Sequence, residues 1–239
     1  MYNYKRILII SDNLFIVNHF KRIINKNGIE ACVDYRCSTG SPLLSEGFTA
    51  LTIKKNISYV IDCYDLIFSA HCKQLFPAEL VKAVKCINVH PGLNPFNRGW
   101  YPQVFSILNK MPLGATIHEI DEELDHGPII CQKEVDLFAW DTSLSAYERV
   151  QNAEIELLEN WLPVILSGSY DFFKPDTDGN LNLKSDFNSL CKISLEKKQT
   201  IGETIDLLRA LSHGDYKNAW YIDEHTGKKV YLQIQLNPE

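Results

Sequence analysis

Residues 6–35 read RILIISDNLFIVNHFKRIINKNGIEACVDY. The stretch Arg6 to Ser11 is a short, continuously apolar run, the signature of a parallel strand buried on both faces. Ser11, Asp12 and Asn13 offer N-caps for a helix directly after it. Ile16, Val17, Phe20, Ile23 and Ile24 then recur at helical spacing, and Gly28 closes the helix. Ile29 to Tyr35 reads as a second strand. A β-α-β opening of this kind is the unit of an open α/β sheet with right-handed crossovers.

The same patterning continues outward. Residues 37–47 are turn-rich and read as a loop. Tyr64 to Ala70 is another buried strand, followed by a short helix from about Pro77 to Lys85. Cys86 to His90 is the next strand and stops at Pro91-Gly92. Gly114 to Glu119 and Ile129 to Val135 read as a later strand pair. Leu144 to Leu166 is a long amphipathic helix that Pro163 kinks or ends. Lys174 to Ser189 is polar and loop-like, a boundary region. A helix near Gly202 to Leu211 and a hairpin complete the chain, with strands Ala219 to Ile222 and Lys229 to Leu236 joined by the turn Asp223 to Gly227. The expected fold is therefore α/β: an open, mostly parallel, Rossmann-like sheet flanked by helices, with a small C-terminal α+β appendage containing a hairpin. Residues 1–175 form the catalytic body and 176–239 the appendage, which packs on that body or on a second subunit.

Composition narrows the function. The 239 residues are 45% hydrophobic and carry a net charge of −6. Acids and bases are mixed, so no basic stripe invites nucleic acid. The apolar run Ile7 to Ile10 is too short for a signal peptide, and no stretch approaches the ~20 apolar residues that span a membrane. Seven cysteines without a C-x-x-C pair read as free thiols in a reducing compartment, hence a cytoplasmic location. Strand one is followed by Ser11-Asp12-Asn13, with no G-x-G-x-x-G for a dinucleotide.

Chemistry concentrates between Cys86 and Ile130. Asn88 and His90 lie two apart at a strand end, so both side chains share a face. Ligands of open α/β sheets bind beyond the carboxyl ends of the strands. Acyl transfer to an amine needs a base, a donor for the tetrahedral oxyanion and a group that sets the base's tautomer. His90 suits the first role, the Asn88 amide the second and Asp125 the third. The bland alternative is a structural histidine and an Asp-x-Gly turn.

Asn88-Val89-His90-Pro91, with Asp125-His126-Gly127-Pro128-Ile129-Ile130 some 35 residues on, resembles the folate-dependent formyltransferase family over roughly residues 1–170. The resemblance implies direct amine attack on the formyl carbon of 10-formyltetrahydrofolate, with no metal. It implies folate contacts along Ile120 to Asp125, through Ile120, Glu122 and Leu124, and along Ser69 to Phe76, through His71, Lys73 and Phe76. The stretch His90 to Gln103 resembles the nucleotide-sugar N-formyltransferase branch. It points to Asn94, Arg98, Trp100, Tyr101 and Gln103 as contacts for a dTDP-linked amino dideoxysugar, with dTDP-4-amino-4,6-dideoxyglucose expected. Arg98 and Lys73 suit the diphosphate, and Trp100 and Tyr101 the sugar or base. Equally, the two aromatics could be core and Arg98 the partner of a surface acid. A homodimer held by the appendage and a role in a surface glycan such as O-antigen complete that expectation. Competing readings are a formyltetrahydrofolate hydrolase using the same triad, which usually carries an extra N-terminal domain for which strand one leaves no room, a metal-dependent hydrolase using His90, His118, Asp121 and Asp125, and a non-catalytic sugar-nucleotide binder.

Overall fold

The structure is a computed structural model and describes residues 3–239. Its elements in chain order are β1 (Arg6–Ser11), α1 (Leu14–Lys26), β2 (Cys32–Cys37), β3 (Thr49–Ala50), α2 (Ile57–Cys63), β4 (Leu66–Ala70), α3 (Ala78–Ala83), β5 (Lys85–His90), β6 (Arg98–Gly99), α4 (Pro102–Asn109), β7 (Leu113–Glu119), β8 (Ile129–Val135), α5 (Ser143–Ser167), β9 (Leu181–Asn182), α6 (Lys184–Cys191), α7 (Ile201–Leu211), β10 (Ser212–His213), β11 (Tyr216–Lys217), β12 (Ala219–Ile222) and β13 (Lys229–Leu232). Seven strands form one sheet in the order β3-β2-β1-β4-β5-β7-β8. Pairing is parallel from β3 to β5 and antiparallel from β5 through β7 to β8.

The apolar run of β1 explains the layering. Alternate side chains serve opposite faces. Ile7 and Ile9 join Phe20, Phe68, Ile117 and Leu158 in a core against α1 and α5. Leu8 and Ile10 join Val60, Ile67 and Leu80 in a second core against α2 and α3. Each fully buried side chain of this size contributes roughly 1.5–3 kcal/mol. The Asn13 side chain accepts from the Ile16 N–H and caps α1. Thr142 and Ser145 form a reciprocal capping box on α5. Pro163 sits inside α5 without ending it, and the helix runs on to Ser167 before Gly168 closes it at φ 70°.

The sequence reading needs correction in two places and an addition in a third. Lys174 to Ser189 is not a loop throughout: β9 pairs with β6, and α6 follows at once. The segment after Arg98 contains α4, with Pro102 at its start. The second hairpin strand ends at Leu232, not Leu236. The C-terminal elements pack on α4. Val104 and Ile107 of α4 form a third core with Phe187, Leu211 and Ala219. All seven cysteines are free thiols. Among the described residues no helix is long and apolar enough to cross a membrane.

Candidate active site

The carboxyl ends of β1, β4 and β5 lie side by side, with Ser11 opposite Ala70 and Ala70 opposite Val89. Period-two geometry puts Asn88 and His90 of β5 on one face. The antiparallel register sets Asn88 opposite His118 and His90 opposite Thr116. Asp125 reaches this face from the loop after β7. Its φ of 47° is left-handed, a conformation aspartate tolerates better than most residues. Gly127 fixes the loop's return: a Cβ there would lie 1.9 Å from the Glu119 carbonyl oxygen.

The triad is assembled. Asn88 Nδ2 donates to Asp125 Oδ1 at 2.8 Å, and the Gly99 N–H donates to Oδ2 at 3.1 Å. His90 Nδ1 lies 3.5 Å from Oδ2, which favours the tautomer with its proton on Nδ1 and a lone pair on Nε2. His90 Nε2 is buried and has no hydrogen-bond partner. Burial lowers the His90 pKa to about 4, against the opposing pull of Asp125. The imidazole is therefore neutral at physiological pH and able to take a proton. Burial would raise Asp125, but the His90 and His118 imidazoles and the Gly99 N–H outweigh it and hold the carboxyl down at about 2.

His118 is the residue that the sequence reading placed only in a metal set. Its Nδ1 donates to the Glu119 carbonyl at 2.7 Å, leaving Nε2 to accept from Asn88 Nδ2 at 3.3 Å. In that neutral tautomer Nε2 cannot donate to Asp125 Oδ1, 3.6 Å away; the pull of His118 on the carboxyl belongs to its protonated form. Strand alternation along Gly114 to Glu119 carries the signal for His118, once the β5–β7 register is known. Asp121, by contrast, pairs with His126 at 2.7 Å. Among the described residues no cluster of three or more His, Cys, Asp or Glu side chains stands in metal-ligand geometry.

The remaining expected contacts divide. Asn94 and Arg98 join the triad. Asn94 Nδ2 donates to the Asp125 carbonyl at 2.9 Å, and Arg98 Nη1 to the Leu124 carbonyl at 3.3 Å. Among the described residues Asn94 Oδ1 and Arg98 Nε are buried without partners, so with His90 Nε2 three buried polar atoms beside Asp125 have unmet hydrogen-bonding capacity. Among the described residues Arg98 has no ion-pair partner. Lys73 is exposed. Phe76 and Ile120 lean on the second core. Glu122 pairs with Lys82 at 2.6 Å on the surface. His71 has both ring nitrogens engaged: Tyr147 Oη donates to Nδ1 at 2.8 Å, and Nε2 meets the Glu154 carboxylate at 2.8 Å. Trp100 lies under Lys184, whose Nζ is 5.2 Å from the ring centre. Tyr101 packs on Phe187 of the appendage at 4.2 Å between centroids. Gln103 is buried and donates to Ser143 Oγ at 3.2 Å.

Residues 54–162 match the formyl transferase family. Residues 186–238 match the N-formyltransferase dimerization C-terminal domain. Over 193 residues the chain is 47% identical to a dTDP-4-amino-4,6-dideoxyglucose formyltransferase of Mycobacterium tuberculosis, spanning 81% of this chain and 82% of that protein. The chain belongs to the formyl transferase family. Its fold matches that of a Shewanella sugar N-formyltransferase with a TM-score of 0.94 and 45% identity, covering 98% of this chain and 99% of the other. A formyltransferase of Anoxybacillus kamchatkensis, solved with a UDP-linked 4-formamido sugar and tetrahydrofolate, aligns with a TM-score of 0.58 and 25% identity over 77% of this chain and 88% of its own. This formyl transferase is thus an enzyme of the sugar N-formyltransferase kind, as the resemblance of the stretch His90 to Gln103 implies.

Proposed function

We propose that this formyl transferase moves the formyl group of 10-formyltetrahydrofolate onto the 4-amine of dTDP-4-amino-4,6-dideoxyglucose. The observation that carries the chemistry is His90 Nε2, a buried, unpartnered lone pair backed by an ionised Asp125. The amine nitrogen attacks the formyl carbon. His90 Nε2 takes the amine proton, and Asp125 steadies the imidazolium. Asn88 gives up its longer bond to His118 and turns that N–H to the oxyanion. The C–N10 bond then breaks, and the proton held on His90 passes to N10, leaving tetrahydrofolate and the formamide.

The identity to the mycobacterial dTDP-sugar enzyme supports the acceptor. The tetrahydrofolate held by the Anoxybacillus protein supports the donor. Arg98 Nε, buried and free, suits an anionic group of the substrate, and Trp100 offers an aromatic face to its sugar or base. Residues 1–175 then act as catalytic body and 176–239 as the appendage that joins two chains. Tyr216, Ile222 and Tyr231 of the appendage are exposed large side chains and suit such a contact. Sedimentation of the purified chain at a mass of two copies is the expected result.

The test of the chemistry is a transfer assay with 10-formyltetrahydrofolate and four amines: dTDP-4-amino and dTDP-3-amino dideoxysugars, a UDP-amino sugar and glycinamide ribonucleotide. Release of tetrahydrofolate that depends on the dTDP-4-amino sugar is expected. Release with no amine present would instead mark a hydrolase.

A further inference from the structure

The loop that carries the Gly99 N–H to Asp125 is fastened from outside the catalytic body. Asn97 is fully buried with φ 51°. Its Oδ1 accepts from three amides: Asn109 Nδ2 at 2.7 Å, Asn180 Nδ2 at 2.8 Å and Asn182 Nδ2 at 3.1 Å. Its main-chain N–H donates to Asn180 Oδ1 at 2.8 Å. On either side the backbones also lock, with Arg98 N–H on the Asn180 carbonyl and Trp100 N–H on the Asn182 carbonyl, both at 2.9 Å. The two strands touch so closely that a Cβ on Gly99 would lie 2.4 Å from the Asn182 carbonyl oxygen, and one on Gly179 would lie 1.9 Å from that of Pro95.

We propose that Asn97, Asn180 and Asn182 form a positioning node that aims the Gly99 N–H at Asp125, so that the linker into the appendage sets the attitude of the catalytic carboxylate. A carboxylate rotates freely about its last bond unless hydrogen bonds stop it. Asn88 restrains Oδ1 and Gly99 restrains Oδ2, the oxygen that faces His90. Gly99 lies in a two-residue strand whose pairing partner is β9 alone. Releasing β9 therefore releases the Gly99 N–H, and with it the oxygen that orients the base. The three asparagines touch no reacting group in this arrangement and act through Gly99.

The inference rests on the role of Asp125 given above, so three variants are compared in the full chain. Asn180→Ala removes both side-chain bonds from a partly buried position. Gly179→Ala pushes the segment entering β9 off Pro95 while removing none of the asparagine side chains. Asp125→Asn tests the underlying reading. With selective 15N-glycine labelling, Asn180→Ala and Gly179→Ala are expected to make the Gly99 amide exchange roughly ten-fold faster, to lower kcat about ten-fold, and to leave both KM values within about three-fold. If either variant fails to fold, the other decides. Native kcat or an unchanged Gly99 amide in a folded Asn180→Ala or Gly179→Ala protein, while Asp125→Asn is inactive, overturns the node alone. Native turnover in Asp125→Asn overturns the reading beneath it.

Discussion

Gly92 stands against the reactive edge of His90: a Cβ added to it would lie 2.4 Å from Nε2 and 2.9 Å from Cδ2. The glycine is thus required by the ring and not by its own backbone. Gly92→Ala is expected to drive the imidazole off its line and lower kcat by about 100-fold. The melting temperature should change little, because the methyl displaces one ring. Near-native kcat in this variant would show that Nε2 is not the base.

The titration of His90 tests the charge balance directly. Burial sets its pKa at about 4, and Asp125 pulls the other way. Removing the carboxylate in Asp125→Asn takes away the partner of the imidazolium, so the His90 pKa should fall further. Histidine-selective 15N spectra recorded against pH give both values. A rise in the variant contradicts the pairing.

The same depression makes an acid-stability prediction. Folded His90 stays neutral down to about pH 4, whereas the unfolded chain binds a proton near the ordinary histidine value of 6.5. Its contribution is fully present above pH 6.5 and is lost as pH falls toward 4, a swing of roughly 3 kcal/mol. Urea unfolding at pH 7 and pH 4.5 should show a smaller acid loss for His90→Gln than for the native chain. An equal loss would mean that His90 titrates normally.

His71 and Glu154 make a prediction about stability. Both Glu154 oxygens lie 2.8 Å from His71 Nε2, and the carboxylate is fully buried. Burial raises the Glu154 pKa. Glu154→Ala leaves the ring nitrogen unsatisfied beside a cavity and should cost about 3–5 kcal/mol. Glu154→Gln keeps an acceptor and should cost much less. Thermal unfolding separates the two, and equal losses would show that the carboxylate charge, which both variants remove, matters there and neither the acceptor nor the volume.

Much of the central sheet was legible because β1, β4 and β5 are apolar runs of the right length and α1 carries its own cap in Asn13, whereas the two-residue β3 carries no pattern at all and β2, half polar, lies a few residues beyond its expected bounds. That Asn88, His90 and Asp125 come together was legible through the family resemblance, with two of them on one strand and the third opening the turn Asp125 to Gly127. The asparagine node was not. Asn97 and Asn180 are 83 positions apart, and neither lies in a periodic pattern that announces a partner. Helix α6 hid for a related reason. Phe187, Leu190 and Cys191 carry helical spacing, but they follow a long polar tract that reads as linker. The packing of Tyr101 on Phe187 was hidden too, because no local signal pairs the two residues.

The pairing of β6 with β9 has a practical consequence for making hybrids of related enzymes. A crossover near residue 175, where composition alone would place it, joins a foreign β9 to the native loop of Asn97. A crossover after Cys191 keeps the whole asparagine set and the Tyr101–Phe187 contact from one parent. It divides α7, the β10–β11 pair and the hairpin from the rest, at a junction that is apolar around Ala210, Leu211 and Ala219 and polar where Arg209 donates to the Phe138 and Asp141 carbonyls. Appendages exchanged at the later point should give active hybrids, and those exchanged at the earlier point should not.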